Sequence, residues 1–259
     1  MELIFWNINN NAQAVDLINS IDFTEQKRIV AIAEFWSLTG NLERLSSTQA
    51  VWHDEIHGRT GVIYSKNIHL TPYGGEKYFS VYKIQHKGMK MLLVVVNHLK
   101  SQHRSEFASA AINLNVIKNI LDQLNSFKNE RIIIMGDFNM TLCNDVISFY
   151  HLNATDYFSS KEKHYKTCDG EKRIKFYSPI QSFSGDMSKG PPGSYYYVTQ
   201  TQSQAWHILD NALVSYPLVE YLDRERCEIM SNMGGTELLK NSRPNKQISD
   251  HLPVKIKLA

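Results

Sequence analysis

Cysteine is nearly absent from this chain. There are three in 259 residues, Cys143, Cys168 and Cys227, odd in number and far apart. Without a CxxC pair, a zinc ribbon or a disulfide framework is not expected, and neither is a disulfide partner. Long apolar runs are missing too, and no basic leader precedes "MELIFWNINN". Neither a membrane span nor a signal peptide is expected, and the reading is a cytoplasmic protein. Charge is not of one sign: 28 Lys and Arg face 26 Asp and Glu, a formal net charge of +2. That balance neither announces nor excludes a nucleic-acid partner. No repeat occurs, and no linker separates two cores. Residues 1–259 are expected to form one domain.

What the chain has in quantity is strand-like sequence. "LIFWNIN", "RIVAIAEFW" and "TGVIYS" read as strands. "FSVYKIQHKGMKMLLVVVNHL" reads as two, joined by a tight turn at Lys87-Gly88. "AQAVDLINSI" has helical spacing at Ala14, Leu17, Ile18 and Ile21. Residues 105–127 form the clearest helix, with Phe107, Ala111, Leu114, Ile117, Leu121 and Leu124 recurring every three or four positions. In "RIIIMGDFNM", positions 131–140, a strand buried on both faces ends in a glycine that lets the backbone turn or approach something closely. Residues 157–193 are polar, Lys-rich and broken by Gly and Pro, with one strand at "RIKFYSPI". "YYYVT", "WHILDNALVS", "ERCEIM" and "HLPVKIKL" complete the strand-like segments. Many strands and few helices predict a sheet-on-sheet core rather than an alternating parallel fold.

Several of these strands end in a polar residue able to hold a metal or a phosphate: Asn7, Glu34, His98, Asp137, Asp210 and the Asp250-His251 pair. Each alone has a structural explanation as a turn cap or a hydrogen-bonded core group. Their recurrence in the same kind of place is the signal.

These stretches resemble the endonuclease/exonuclease/phosphatase superfamily, which includes pancreatic-type deoxyribonuclease, abasic-site endonucleases, sphingomyelinases and inositol-polyphosphate phosphatases. The matches run in family order over nearly the whole chain: "WNI" at 6–8, "AE" at 33–34, "NHL" at 97–99, "GDFN" at 136–139, "LDNALVS" at 209–215 and "SDHLPV" at 249–254. The resemblance implies an α/β four-layer sandwich, DNase I-like, in which two mixed, mainly antiparallel sheets pack face to face and are flanked by helices. It also implies phosphoester hydrolysis dependent on Mg²⁺ or Mn²⁺.

By the same resemblance Glu34 is the first metal ligand, with Asn7 beside it and Asp250 joining directly or through water. Such hard oxygen donors suit these cations. Asp137 orients or deprotonates the attacking water, and Asn139 donates to the phosphate or to that water. His251 contacts the phosphate while Asp210 holds its ring. His98 matches a further active-site position. The chain departs from the secreted deoxyribonucleases at Gly58, which stands where a supporting Glu precedes the Arg matched by Arg59. "LDN" also replaces a commoner "IDY".

Substrate contacts are expected from Arg59, Lys175, Tyr195 and Tyr197. The last three belong to a stretch, 161–197, in which basic residues alternate with aromatics, a pattern suited to a nucleic-acid strand. A solvated loop followed by an edge strand explains the same pattern. Tyr195 and Tyr197 share a face, and Tyr196 points away. The leading expectation is a nuclease on DNA or RNA. A phosphatase or phosphodiesterase for a small or lipid phosphoester, and a catalytically silent binding protein of the same fold, are the alternatives.

Overall fold

The computed structural model describes residues 1–44, 50–54, 59–85, 92–101, 106–126, 131–142, 165–168, 171–185, 190–198 and 204–259. Its two large sheets are built from twelve strands. In chain order they are β1 (Glu2–Asn7), β2 (Arg28–Ala33), β3 (Ala50–Asp54), β4 (Thr60–Ser65), β5 (His69–Glu76), β6 (Phe79–Gln85), β7 (Leu92–His98), β8 (Ile132–Asp137), β9 (Phe176–Tyr177), β10 (Asp210–Ser215), β11 (Glu228–Ile229) and β12 (Val254–Lys257). One sheet has the order β11-β12-β1-β2-β4-β3, the other β9-β10-β8-β7-β6-β5. Among the described residues only the β1–β2 and β7–β8 pairs are parallel. Three helices matter for packing: α1 (Ala12–Asn19), α2 (Thr39–Arg44) and α3 (Glu106–Ser126).

The period of two along each strand of the second sheet divides its side chains between two cores. Leu92, Val94 and Val96 of β7, with Ile133 and Met135 of β8, face the first sheet. Leu93, Val95, Ile132 and Ile134 face α3. This is why "IIIM" and "LLVVV" carry no alternation: both faces are covered. α1 flanks the first sheet with Ala14, Val15 and Ile18, and Asn11 caps it by accepting the Gln13 N–H at 2.9 Å.

The stripe of α3 is rotated from the expected one. Val116, Ile117, Ile120 and Leu124 are buried, Leu114 and Leu121 lie at its margin, and Ala111 is exposed. The pivot is Asn113, buried because its amide pairs with both backbone groups of Lys100, at 2.8 and 2.9 Å. Other departures are local. "RIKFYSPI" divides at Lys175 into a strand Glu171–Ile174 and β9. "YYYVT" pairs only through Tyr195–Tyr196, and "ERCEIM" begins with a single 3₁₀ turn. β5 escapes sequence reading because Pro72 and Gly74-Gly75 look like a turn; it is an edge strand with a register shift between Pro72 and Gly74. The Lys87-Gly88 turn and the Phe107 side chain lie outside the described residues.

Among the described residues no helix is long and apolar enough to cross a membrane. Cys227 is a buried free thiol whose pKa burial pushes up to about 11, so it is unreactive near neutrality.

Candidate active site

The site sits where strand ends meet. Parallel pairing sets His98, the last residue of β7, beside Asp137, the last residue of β8. Antiparallel pairing sets Asp210, the first residue of β10, on the other side of Asp137. In the other sheet Asn7 ends β1 opposite Ala33, and the chain then turns at Glu34, which has a left-handed φ of 56°. The β7–β8 approach is what requires Gly136. A Cβ there would lie 2.0 Å from the Asn97 carbonyl oxygen and 2.7 Å from its side chain.

Hydrogen bonds tie the ends together. Asn7 Nδ2 donates to Asp137 Oδ2 at 3.0 Å and to Glu34 Oε1 at 3.2 Å, bridging the two sheets. His98 Nε2 is 3.2 Å from the same Glu34 oxygen. His251 Nδ1 is 2.7 Å from Asp210 Oδ2. The His251 backbone is seated from two sides: Trp6 Nε1 donates to its carbonyl at 3.0 Å, and its N–H donates to Ser249 Oγ at 3.1 Å. Ser249 Oγ in turn donates to the Asn7 carbonyl at 2.8 Å. Ser194 Oγ accepts the Asp210 N–H at 3.0 Å and so fixes the other half of the His–Asp pair. Tyr195 pairs with His251 through the backbone and lays its ring 4.7 Å from the imidazole.

The electrostatics follow from this burial. Asp137 is raised from 3.8 to about 6, first by burial and then by the neighbouring charge of Asp210, against the pull of the two histidines and Asn7. For His251, burial favours the neutral ring, but the charge and hydrogen bond of Asp210 prevail and raise it to about 10. Burial also works against the charged form of Glu34. The hydrogen bond and charge of His98 outweigh it and hold the acid below its ordinary value. The Tyr195 phenol is raised by burial and by the charge of Asp250. Asp137, Asp210 and His251 each place a ligand atom within 4.8 Å of the others, a spacing that can hold a metal ion. Asp210 Oδ1 is buried and, among the described residues, without a partner.

Eleven of the twelve expected site residues stand at or beside this cluster. Two of them hold different posts from those foreseen. Asn7 turns its amide nitrogen to the carboxylates, because NH₂ is the group that satisfies both, and its Oδ1 accepts the Asn9 N–H at 3.0 Å. Asn139, in a left-handed turn with φ 51°, donates its backbone N–H to Asp137 Oδ1 at 2.7 Å and its side-chain amide to Leu99 O at 2.8 Å. It orients Asp137 rather than reaching outward. Asp250 is half-buried, and its charge acts on both His251 and Tyr195. The Arg59 guanidinium lies 4.7 Å from the Tyr78 ring, and the Tyr78 carbonyl accepts the His98 N–H, so Arg59 is beside the His98 edge. The half-exposed Tyr197 ring stacks on Tyr195 at 6.4 Å.

Lys175 stands apart from this cluster. It precedes β9, its carbonyl accepts the Tyr216 N–H, and its ammonium lies 4.9 Å from the Tyr216 ring. Tyr216 follows Ser215, the end of β10 opposite Asp210. At about 3.3 Å per residue that is roughly 17 Å from the site. Alternation of charge and aromatics did not reveal which end of the sheet each residue would occupy. Gly58, Lys161, Lys163 and Lys189 lie outside the described residues. Sequence reading missed Trp6, Ser194 and Ser249. Trp6 and Ser249 stood inside matched stretches without a role, whereas Ser194, after a Gly-Pro turn, carried no signal.

No family model matches the sequence, and no curated protein matches it significantly. Solved structures do match. The catalytic domain of human Nocturnin, with a bound sulfate anion, is 16% identical over 100% of this chain and 94% of its own, TM-score 0.56. The 3′-5′ exonuclease NExo from Neisseria meningitidis is 14% identical over 100% and 99%, TM-score 0.55. A Staphylococcus aureus beta toxin is 14% identical over 100% of both chains, TM-score 0.61. At such identities the likeness concerns the fold. This chain has their fold, the DNase I-like α/β sandwich of two mixed sheets flanked by helices.

Proposed function

We propose that residues 1–259 act as one domain and form a divalent-metal-dependent phosphodiesterase, a nuclease that hydrolyses DNA or RNA. The observation that carries this reading is the convergence of Asp137, Asp210 and His251 with Asn7, Glu34 and His98 at one edge of the sandwich. The fold neighbours support it, since one is a 3′-5′ exonuclease and another holds a tetrahedral anion.

Each residue has a task. Asp137, with a pKa near 6, is ionised at neutral pH yet basic enough to take a proton from the attacking water. Asn139 and Asn7 hold its two oxygens in place. His251, charged and anchored through Nδ1 by Asp210, presents Nε2–H to a phosphate oxygen, where a fixed cation in a dry site stabilises developing negative charge. His98, held by Glu34, supplies a second imidazole at the same edge. The donor set fits Mg²⁺ or Mn²⁺, because it is rich in carboxylate oxygens. Glu34 and Asp250, whose charges each interact with His251, would hold the ion; a protonated His251 is a poor ligand. When bound, the cation offsets the phosphate charge and stabilises the departing oxygen.

The test is hydrolysis by purified protein in EDTA, Mg²⁺ or Mn²⁺. Single- and double-stranded DNA, RNA, phosphoinositides and sphingomyelin serve as substrates, and Asp137→Ala is the control. Metal-dependent cleavage of nucleic acid that falls at least ~100-fold in the variant is expected. Cleavage indifferent to both EDTA and the substitution, or confined to the lipid substrates, overturns the reading.

A further inference from the structure

The most exposed large apolar side chain among the described residues is Trp36, at 59%, and it stands two positions after Glu34. Single apolar side chains scattered over a surface are ordinary. Trp36 differs in how it is mounted. The Leu38 N–H donates to the Phe35 carbonyl at 2.7 Å, closing a tight turn with Trp36 and Ser37 at its tip. Phe35 and Leu38 are both buried, so the turn is anchored in the core at each end. The Ser37 N–H donates to Asn10 Oδ1 at 2.9 Å, and the Glu34 carbonyl accepts the Asn10 N–H. Asn11 Nδ2 donates to the Gln247 carbonyl at 2.8 Å, which ties the same loop to the stretch before Asp250. Three residues here hold left-handed backbone without being glycine: Asn9 at φ 46°, Asn10 at 52° and Glu34 at 56°. Such conformations cost free energy and persist where the surroundings fix them, and they gather at functional sites.

What surrounds the ring selects its ligand. Within 7–11 and 34–41 the other exposed residues are Asn9, Ser37, Gly40 and Asn41, and Trp36 is the one exposed apolar side chain. A membrane surface is held by a contiguous apolar face, which these two segments do not offer. A single ring among amides suits a nucleobase, whose faces stack and whose edges hydrogen-bond. Two residues span at most about 7 Å, so the Trp36 backbone stays within that distance of Glu34. A nucleotide whose phosphate lies in the site therefore has its base beside this turn. In a duplex that base is stacked between its neighbours, and only an unpaired or flipped base can reach a protein ring.

We infer that Trp36 is a stacking platform for an unpaired base next to the phosphate in the site, and that it selects single-stranded or splayed substrate. The inference rests on the nuclease reading for its substrate class, and its test does not depend on catalysis. Fluorescence anisotropy of a labelled single-stranded oligonucleotide is followed in EDTA with the wild type, Trp36→Ala, Trp36→Leu and Trp36→Phe. Loss of one base–aromatic stack should weaken binding by Trp36→Ala about 5- to 150-fold. Trp36→Leu, apolar but without a ring, should lose nearly as much, and Trp36→Phe should keep most of the affinity. The slope of log affinity against log salt should be the same in Trp36→Ala and wild type, since no phosphate contact is removed. An abasic oligonucleotide of equal length should bind the two proteins alike, because the ring and the base act as one pair. Tyr221→Ala removes an exposed ring at the opposite edge, where the Tyr221 carbonyl accepts the Ala259 N–H, and should change nothing. Circular dichroism checks that each variant is folded; were Trp36→Ala unfolded, the leucine and phenylalanine variants decide. No binding by the wild type, equal affinity of the ring-free variants and wild type, or an equal loss on the abasic chain overturns the platform. Trp36-dependent binding by a wild type that hydrolyses no phosphodiester in Mn²⁺ would uphold the platform and sink the nuclease reading. Cleavage of nucleic acid with Trp36-independent binding would do the reverse.

Discussion

Replacing Asp137 with Asn is expected to stabilise the protein at neutral pH while removing its activity. The carboxyl is 1% exposed, and burial with the charge of Asp210 raises its pKa from 3.8 to about 6. A carboxyl whose pKa is higher folded than unfolded binds protons more tightly in the folded state. Stability therefore falls as pH rises from the unfolded value through the folded one, and the cost is complete above about 6. A gap of roughly two pKa units is worth about 3 kcal/mol at neutral pH. Asn carries no charge and escapes this cost, but not the hydrogen-bond geometry. Asp137 Oδ2 accepts from Asn7 Nδ2 and Oδ1 from the Asn139 N–H, so an amide must turn NH₂ against one donor. That mismatch costs about 1–2 kcal/mol. Asn is left ahead by about 1–2 kcal/mol near pH 7.5, and level or behind near pH 4, where the charge penalty has shrunk below about 1 kcal/mol. For a chain of this length the neutral-pH gain raises the thermal midpoint by about 2–6 °C. The assay is thermal unfolding by circular dichroism at both pH values, in EDTA so that no cation masks the carboxylate. A lower midpoint for the variant at neutral pH, or a difference that does not vary with pH, would refute the reasoning.

Other consequences can be measured in the same way. Asp210→Asn breaks a buried pair and should cost about 3–5 kcal/mol near pH 6. Because His251 is raised from 6.5 to about 10, the pair's contribution is complete below about 6.5 and is lost as pH climbs through 10, so the gap between variant and wild type should narrow over that window. Gly136→Ala forces a methyl onto the Asn97 carbonyl, and urea denaturation should show a loss of about 3 kcal/mol or more. Ser249→Ala leaves the Asn7 carbonyl and the His251 N–H unserved. It should cost about 1–3 kcal/mol in urea and lower kcat more than it raises KM, because it unseats the imidazole.

Much of this arrangement was legible in the sequence where a polar residue ended an apolar run. Asn7, Glu34, His98 and Asp137 are found at such ends because parallel β1–β2 and β7–β8 pairing brings the ends of neighbouring strands to one edge, and antiparallel pairing brings Asp210, the start of β10, to the same edge. The direction of each side chain was not legible. Asn7 and Asn139 face inward as donors because their partners, a carboxylate on another sheet and a carbonyl forty residues away, are fixed only by tertiary packing. The place of Lys175 was not legible for the same reason: its charge pattern is local, but its position depends on where β9 pairs with β10. The α3 stripe was misplaced because a buried Asn looks like a surface residue until its backbone partner, Lys100, is known.

The most direct test of the account is the single-turnover rate of phosphodiester cleavage on a labelled oligonucleotide in Mn²⁺, compared between wild type and His251→Ala. If the charged imidazole held by Asp210 acts on the phosphate, the rate falls at least ~100-fold while the protein remains folded. Equal rates in the two proteins would contradict the assignment of this strand-end cluster as the place where chemistry occurs.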